Sequence, residues 1–396
     1  MFALMFLKHY TGLSDEKLLD SLNTDWTMQY FCGIDLRDLK FIKDNSFVSR
    51  VRTYIATHFD LDTIQSVLIK HWKDELPEAS SISIDATCYE SYIRYPTDVK
   101  ILNESLEFIF EKQILSICQI NKIRKPSVVK YQSLRKEVLK YSKSKRKTKK
   151  ATKNLIKKLL SLLSHGVWML KSIIDKKPAK LGMVNFGRLA TIKKVLEQQK
   201  LHFKNPKESI KDRIVSLHKP YVRPIVRGKE NKSVEFGIKV NKIQIGGISI
   251  IQKASYDAFN ECNTLKDSVE KSQEILQTKT TKLAADQIYA TNANRTYTTE
   301  KKILTNFARK GPKQVNDPKS EERKKIGTIR STVLEGSFGN EKNHYGLAKI
   351  KAKNKGNELV WLYFGIITSN IVKIAEQRDK NLQAEKRKPL ENKIAA

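Results

Sequence analysis

Ser81-Ile82-Ser83-Ile84-Asp85-Ala86-Thr87 alternates polar and apolar side chains and then presents a carboxylate. Alternation with period two predicts a short β-strand with two unlike faces. Lys282-Leu283-Ala284-Ala285-Asp286 predicts a second strand that closes on an acid. Between them, Val234-Glu235-Phe236-Gly237-Ile238-Lys239-Val240 and Ile248-Ser249-Ile250-Ile251 flank Gly246-Gly247 and predict a hairpin. Arg213-Ile214-Val215-Ser216-Leu217 is a further candidate strand. A helix is expected from about Leu265 to Leu276, and a longer one from Glu321 to Lys342 that carries Glu335. Glu335 and Lys342 are seven residues apart, two helical turns with only about 20° of drift, so they share a face. Strands with acids at their carboxyl ends, beside an acid-bearing helix, predict a mixed α/β sheet of RNase H-like type. Ligands of open α/β sheets gather at those strand ends.

The 396-residue chain carries 75 Lys and Arg against 42 Asp and Glu, a net charge of +33. Its apolar fraction is that of a folded protein. A cationic excess of this size points to a polyanion as partner, nucleic acid above all. No GxxxxGK[ST] or GxGxxG is present, which leaves a nucleotide-binding reading without support. Cys32, Cys88, Cys118 and Cys262 are scattered without metal-ligand spacing and read as buried thiols of a reducing compartment. The opening Met1-Phe2-Ala3-Leu4-Met5-Phe6-Leu7 lacks the basic flank and cleavage site of a signal peptide. Leu359 to Ile374, interrupted by Gly365, Ser369, Asn370 and Lys373, reads as too short and too polar to span a bilayer. A soluble cytoplasmic protein is the expectation.

Residues 1–75 predict a compact helical domain, with Ser14 as a helix N-cap and Trp26, Tyr30 and Phe31 as core residues. Residues 104–215 predict a basic helical insertion. Within it, 143–158 is lysine-dense and free of acids, and Lys145, Arg146, Lys147, Lys149 and Lys150 are candidate phosphate contacts. Arg223, Arg227 and Lys229 form a smaller basic set. Such contacts position a duplex without reading its sequence.

Taken in order, Tyr10-Thr11-Gly12-Leu13-Ser14-Asp15-Glu16, Gln29-Tyr30-Phe31-Cys32-Gly33, Asp85-Ala86-Thr87 with Tyr95-Pro96-Thr97-Asp98, Val222 to Lys229, Val234-Glu235-Phe236-Gly237, Ala285-Asp286-Gln287-Ile288-Tyr289 and the Glu335 block form a series. Together they resemble the DDE (Asp-Asp-Glu) transposases of bacterial insertion sequences, in the branch with an InsH-like N-terminal domain. The resemblance implies a DNA-binding N-terminal domain over 1–75, an RNase H-like catalytic domain over 80–350 with the insertion at about 104–215, and a C-terminal helix and basic tail over 351–396. It makes Asp85, Asp286 and Glu335 the catalytic carboxylates, holding two Mg²⁺ ions or Mn²⁺ in their place, with Lys342 orienting a phosphate. It implies double-stranded DNA (terminal inverted repeats and a target site) as partner and a homodimer in the synaptic complex. Asp257, Asn260 and Glu261 match a further family block.

The family pattern around the glutamate is Tyr-x2-Arg-x3-Glu-x6-Lys. Here Thr328 stands at the Tyr position and Ser331 at the Arg position, with Arg330 one step earlier. On a regular helix Arg330 lies about 140° from Glu335, so it substitutes only if the helix is locally distorted. The chain also begins near the first matching block, where relatives carry a further segment, and a shortened copy is one expectation. A relative that grips DNA without cutting it, and a general nuclease on the same fold, stay open as alternatives.

Overall fold

The computed structural model describes residues 1–35, 41–176, 185–226, 234–311 and 319–394. They divide into two compact units, one formed by 1–92 with 225–396 and the other by 93–224.

The first unit opens with helices α1 (Phe2–Thr11), α2 (Asp15–Thr24), α3 (Trp26–Phe31), α4 (Phe47–His58) and α5 (Leu61–His71). Ser14 caps α2 by accepting from the Lys17 amide at 3.1 Å. Leu4, Leu18, Leu22, Val48 and Ile55 close the helical core. Trp26, Tyr30 and Phe31, expected in that core, are exposed. The residue α3 turns inward is Gln29, whose amide donates to the Leu22 carbonyl at 2.9 Å.

β1 (Ser81–Ser91) follows. The chain then builds the second unit from α6 (Asp98–Glu107), a π-helical run (Phe108–Leu115), α7 (Ser116–Ile120), α8 (Val129–Lys143), α9 (Lys149–Lys176) and α10 (Phe186–Lys204). Its core is the leucine face of α9 packed on α6, the π-helical run and α10. Arg213–Leu217, expected as a strand, has no strand partner among the described residues. Its apolar side chains are buried, but the Ile214 amide donates to the Gln198 side chain at 3.0 Å.

Among the described residues, one mixed sheet of seven strands organises the first unit. It comprises β1, β2 (Arg223–Val226), β3 (Val234–Ile245), β4 (Ile248–Ser255), β5 (Lys282–Ala285), β6 (Leu304–Thr305) and β7 (Lys349–Ile350). β3 and β4 form the expected hairpin. Its two-residue turn needs positive φ at both positions, supplied by Gly246 (+56°) and Gly247 (+89°). β3 runs antiparallel to β1 over Ser83–Glu90, at close quarters where Glu90 faces Gly237: a Cβ there would lie 2.1 Å from the Tyr89 carbonyl oxygen. On its other edge β1 pairs in parallel with β5 at Ser81–Ile84 and with β7 at Glu90–Ser91. The middle of that edge lies between the two pairings, so a crevice opens where β5 ends and Asp85 begins.

The alternation in β1 sorts its two faces. Ile82 and Ile84 join Ile243, Ile245 and Leu283 in an apolar layer to which α11 (Leu265–Leu276) contributes Leu265 and Val269. Ser83, Asp85, Thr87, Tyr89 and Ser91 project from the other face, which carries the polar contacts. Beyond α12 (Asn292–Glu300), the expected long helix is interrupted: α13 (Ser320–Ile329) passes through a π-helical segment (Arg330–Leu334) into α14 (Glu335–His344).

α14 is fixed to the polar face by a fully buried ion pair. Lys242 Nζ lies 2.8 Å from Glu341 Oε1, and neither side chain has any exposure. Lys242 also donates to Ser337 Oγ at 2.7 Å and lies 4.1 Å from the Phe338 ring centroid. Glu341 further accepts from Tyr89 OH and, at 3.1 Å, from Ser249 Oγ. Burial lowers the Lys242 pKa against the pull of Glu341, and raises that of Tyr89.

The last helix, α15 (Lys355–Ile394), extends well beyond the apolar stretch read from the sequence. Contrary to that reading, Lys355–Gln383 is long and apolar enough to cross a membrane by length and composition, although 67% of its apolar window is packed inside the protein. Val360 and Phe364 complete the N-terminal core and Ile374 joins the sheet core. Cys88 and Cys118 are buried as expected; Cys32 and Cys262 are only half-buried.

Breaking a buried pair strands a charge, whereas removing both partners does not. Glu341→Leu alone is expected to lower the unfolding free energy by about 3–5 kcal/mol, and Lys242→Met combined with Glu341→Leu to recover a large part of it. Urea titration of both variants checks this; a double variant as unstable as the single one would show that the pair does not hold α14.

Candidate functional site

Asp85 lies within β1, one residue past the last pairing with β5. Because Ile84 and Ala285 are register partners, Asp85 and Asp286 stand next to each other where the parallel pairing of β1 and β5 ends. The backbone fixes both carboxylates: Asp85 Oδ1 accepts from the Ala86 amide at 2.8 Å, and Asp286 Oδ1 from the Gln287 amide at 2.6 Å. Glu335 opens α14 from the other side of the crevice.

Arg330 joins the strand to the helix. Its Nη1 lies 3.0 Å from Asp85 Oδ2 and its Nη2 3.3 Å from Glu335 Oε1. The π-helical segment makes this reach possible. A π turn closes i→i+5 hydrogen bonds and absorbs one extra residue, and here the Glu335 amide donates to the Arg330 carbonyl. Five residues then make about one turn, and Arg330 returns to the side of Glu335. The one-step displacement of the arginine in the sequence is compensated by this local change of pitch.

The electrostatics show a cluster short of positive charge. Asp85 is largely buried, and burial pushes its pKa from 3.8 to about 6; Glu261 and Asp286 push the same way, while the Ala86 amide and Arg330 oppose them. Glu261, on a 3₁₀ turn after β4, is held by Lys239 at 2.8 Å. Asp85, Asp286 and Glu261 also act together on Tyr289. That buried phenol, which donates to Asn241 Oδ1 at 2.9 Å, is raised far above its ordinary range, mainly by burial. Lys342 Nζ donates to Thr87 Oγ1 at 3.2 Å and lies 5.4 Å from the Tyr89 ring centroid, two residues along the polar face from Asp85.

The crevice therefore brings together Asp85, Asp286, Glu335 and Lys342. Glu261 and Arg330 join them. Glu261 was visible in the sequence only as part of a weak block, and Arg330 stands in register only once the π turn is known. His344, at the far end of α14, is exposed. Among the described residues no three His, Cys, Asp or Glu side chains converge closely enough to hold a metal ion, and the Arg330 guanidinium bridges two of the acids. In donor chemistry the acids still fit a hard divalent ion, which takes carboxylate oxygens. The raised pKa of Asp85 marks a site that a cation would relieve.

The remaining candidates lie elsewhere. Lys145, Arg146, Lys147, Lys149 and Lys150 belong to the second unit and are exposed at the α8–α9 turn and the start of α9. The first turn of α9 has no acid, so its lysines oppose the helix dipole, an arrangement that an anion relieves. The guanidinium of Arg223 donates to the carbonyls of Pro220 and Val222. Arg227 and Lys229 lie outside the described residues.

Asp85 binds its proton more tightly folded than unfolded. Its ionised form therefore costs stability, from nothing near pH 3.8 to its full extent above about pH 6. A shift of this size corresponds to roughly 3 kcal/mol. Asp85→Asn is expected to stabilise the metal-free protein by about 2–3 kcal/mol at neutral pH and by nothing near pH 4. Urea unfolding in chelator across that range checks the sign; a benefit that is independent of pH would mean that the carboxylate is not strained.

Residues 1–54 match the family described as Transposase domain (DUF772), a stretch that covers α1 to α3 and most of α4. No curated protein and no solved structure matches the chain. The N-terminal helices that pack beside the acid-bearing sheet are thus similar to a transposase domain, and it is to transposases that this comparison relates the chain.

Proposed function

We propose that the protein is an insertion-sequence transposase of the DDE type, acting on double-stranded DNA. The observation that carries the reading is Arg330 joining Asp85 to Glu335 across 245 residues of sequence. It draws an acid-bearing strand and an acid-bearing helix into one crevice, in a chain whose first 54 residues match a transposase domain. The RNase H-like reading is supported by the antiparallel run β4–β3–β1 continued by parallel β5 and β6, with one acid within β1 and one directly after β5.

In this reading Asp85, Asp286 and Glu335 hold two Mg²⁺ ions, for which Mn²⁺ substitutes. Bound there, the ions supply Lewis-acid stabilisation of the attacking and leaving oxygens of an in-line displacement. Lys342 steadies a phosphate next to the acids. Arg330 partly neutralises Asp85 and Glu335 in the resting protein and sets their relative position. Water attack at a phosphodiester of the terminal inverted repeat releases a 3′-hydroxyl, and that hydroxyl then attacks a target phosphodiester, displacing another 3′-oxygen. The lysines at the α8–α9 turn contact the DNA backbone. The protein works in the cytoplasm as a homodimer that synapses two ends, with no membrane partner.

A second reading, a relative that grips DNA without cutting it, is favoured by one observation: among the described residues, the acids are bridged by a guanidinium and do not form a metal-sized cluster.

Cleavage of a labelled duplex carrying the element's terminal repeat separates the two. With Mg²⁺ the protein is expected to cut, and Glu335→Gln or Asp286→Asn to lose cutting by a factor of 10² or more while binding is retained. At sub-saturating Mg²⁺ activity should rise with pH, because protons held by the raised pKa of Asp85 compete with the metal. Binding without cutting by the unaltered protein would establish the second reading instead.

A further inference from the structure

Within the first unit a second cationic site lies beyond the acidic crevice. A cleft of about 800 Å³ is walled by α1, the start of α2, the start of α4, β7 with the residues after it, and Trp361 of α15. Five cations line it, Lys8, Arg52, Lys349, Lys351 and Lys353, against one carboxylate, Asp15.

Two of these cations are built into the fold. Arg52 is 3% exposed and Lys8 6%. Both lean on Asp15, at 3.1 Å and 2.9 Å, so a single negative charge serves two buried positive ones. Arg52 Nε is buried without any hydrogen-bond partner, which is costly for a charged group and marks a donor awaiting an acceptor. Trp361 holds the pair in place, with its ring centroid 4.8 Å from the Arg52 guanidinium and 5.2 Å from Lys8 Nζ. Its indole N–H donates to the Gly346 carbonyl at 3.0 Å. Burial lowers the Lys8 pKa; the charges of Arg52 and Lys351 act in the same direction and Asp15 opposes them.

α4 contributes Asn45, Ser46 and Ser49 to the wall. Its start is already occupied by Asp44, whose carboxylate accepts from the Ser46 amide at 2.8 Å and pairs with Arg50 at 2.6 Å, so the positive potential of the cleft comes from its side chains.

We propose that this cleft is a phosphodiester-binding subsite for duplex DNA. The inference rests on the transposase reading and extends it to a named grip. Its placement suits that role. Lys349 pairs with Glu90, five residues along β1 from Asp85, a run of roughly 17 Å at strand rise. That separation is about half a helical turn of duplex, short enough for one bound duplex to reach both.

The test uses the full chain and a fluorescein-labelled duplex, with affinity measured by anisotropy across a salt series. Lys349→Ala, Lys351→Ala and Lys353→Ala together remove three exposed cations and leave the buried pair intact. The expected result is a loss of about tenfold or more in affinity and a salt slope shallower by about 2–3. A control removes three exposed lysines of the same unit outside the cleft, Lys70, Lys266 and Lys301, and should change both quantities much less. A cleft variant indistinguishable from the control overturns the subsite, whether or not the protein cuts DNA. A protein that binds the duplex through the cleft but does not cut leaves the subsite standing and removes the catalytic reading. No duplex binding at all removes both.

Discussion

The buried pair of Lys242 and Glu341 is the constraint on which the acid-bearing helix depends. A lysine and a glutamate without exposure are costly unless each satisfies the other, and their partners here are dispersed: the lysine is on β3, the glutamate on α14, the supporting hydroxyls on β1 and β4. Only one placement of α14 closes all these bonds, because a shift of one residue would rotate Glu341 by about 100°. The pair therefore acts as a registry pin. Glu335 lies six residues before it and Lys342 immediately after, so the position of both follows from a bond that neither makes.

Above this layer the charges are incompletely balanced. Asp85, Asp286 and Glu261 crowd the middle of β1, and Lys239 and Arg330 offset them only in part. A site devoted to stability would have no use for an aspartate whose ionised form is disfavoured; a site that awaits a cation or a phosphate has one. The basic cleft near the carboxyl end of β1 has the opposite imbalance, with buried cations short of a carboxylate. The same strand thus passes from an acid-rich region to a cation-rich one.

Much of this was legible from periodicity. The alternation at Ser81–Thr87, the paired glycines at 246 and 247, and the apolar spacing of 265–276 each lead to the observed element, because each signal is local. The seven-residue spacing of Glu335 and Lys342 survives because α14 is regular from Glu335 onward. What could not be read depends on distant partners. Lys242 looks like any strand lysine until Glu341 covers it. Arg330 is out of phase until a π turn inserts a residue. Trp26, Tyr30 and Phe31 resemble core residues, yet aliphatic side chains from four other helices have already filled the space. Arg213–Leu217 alternates as a strand should, but no neighbouring strand accepts its amides.

The central position of β1 also governs how the chain matures. Its partners β3, β5 and β7 all come later, and roughly 140 residues separate its end from β3. At a synthesis rate of about 5–20 residues per second, the strand waits on the order of 7–30 s for its first neighbour. The loop to be closed is long enough that the intervening helices must fold on their own schedule. The last strand partner of β1 arrives only when Lys349 and Ile350 emerge. Asp85 is the earliest of the acids to be made, and the crevice around it closes only after α14 has emerged, so a nascent or prematurely terminated chain carries the carboxylate but not the assembled crevice.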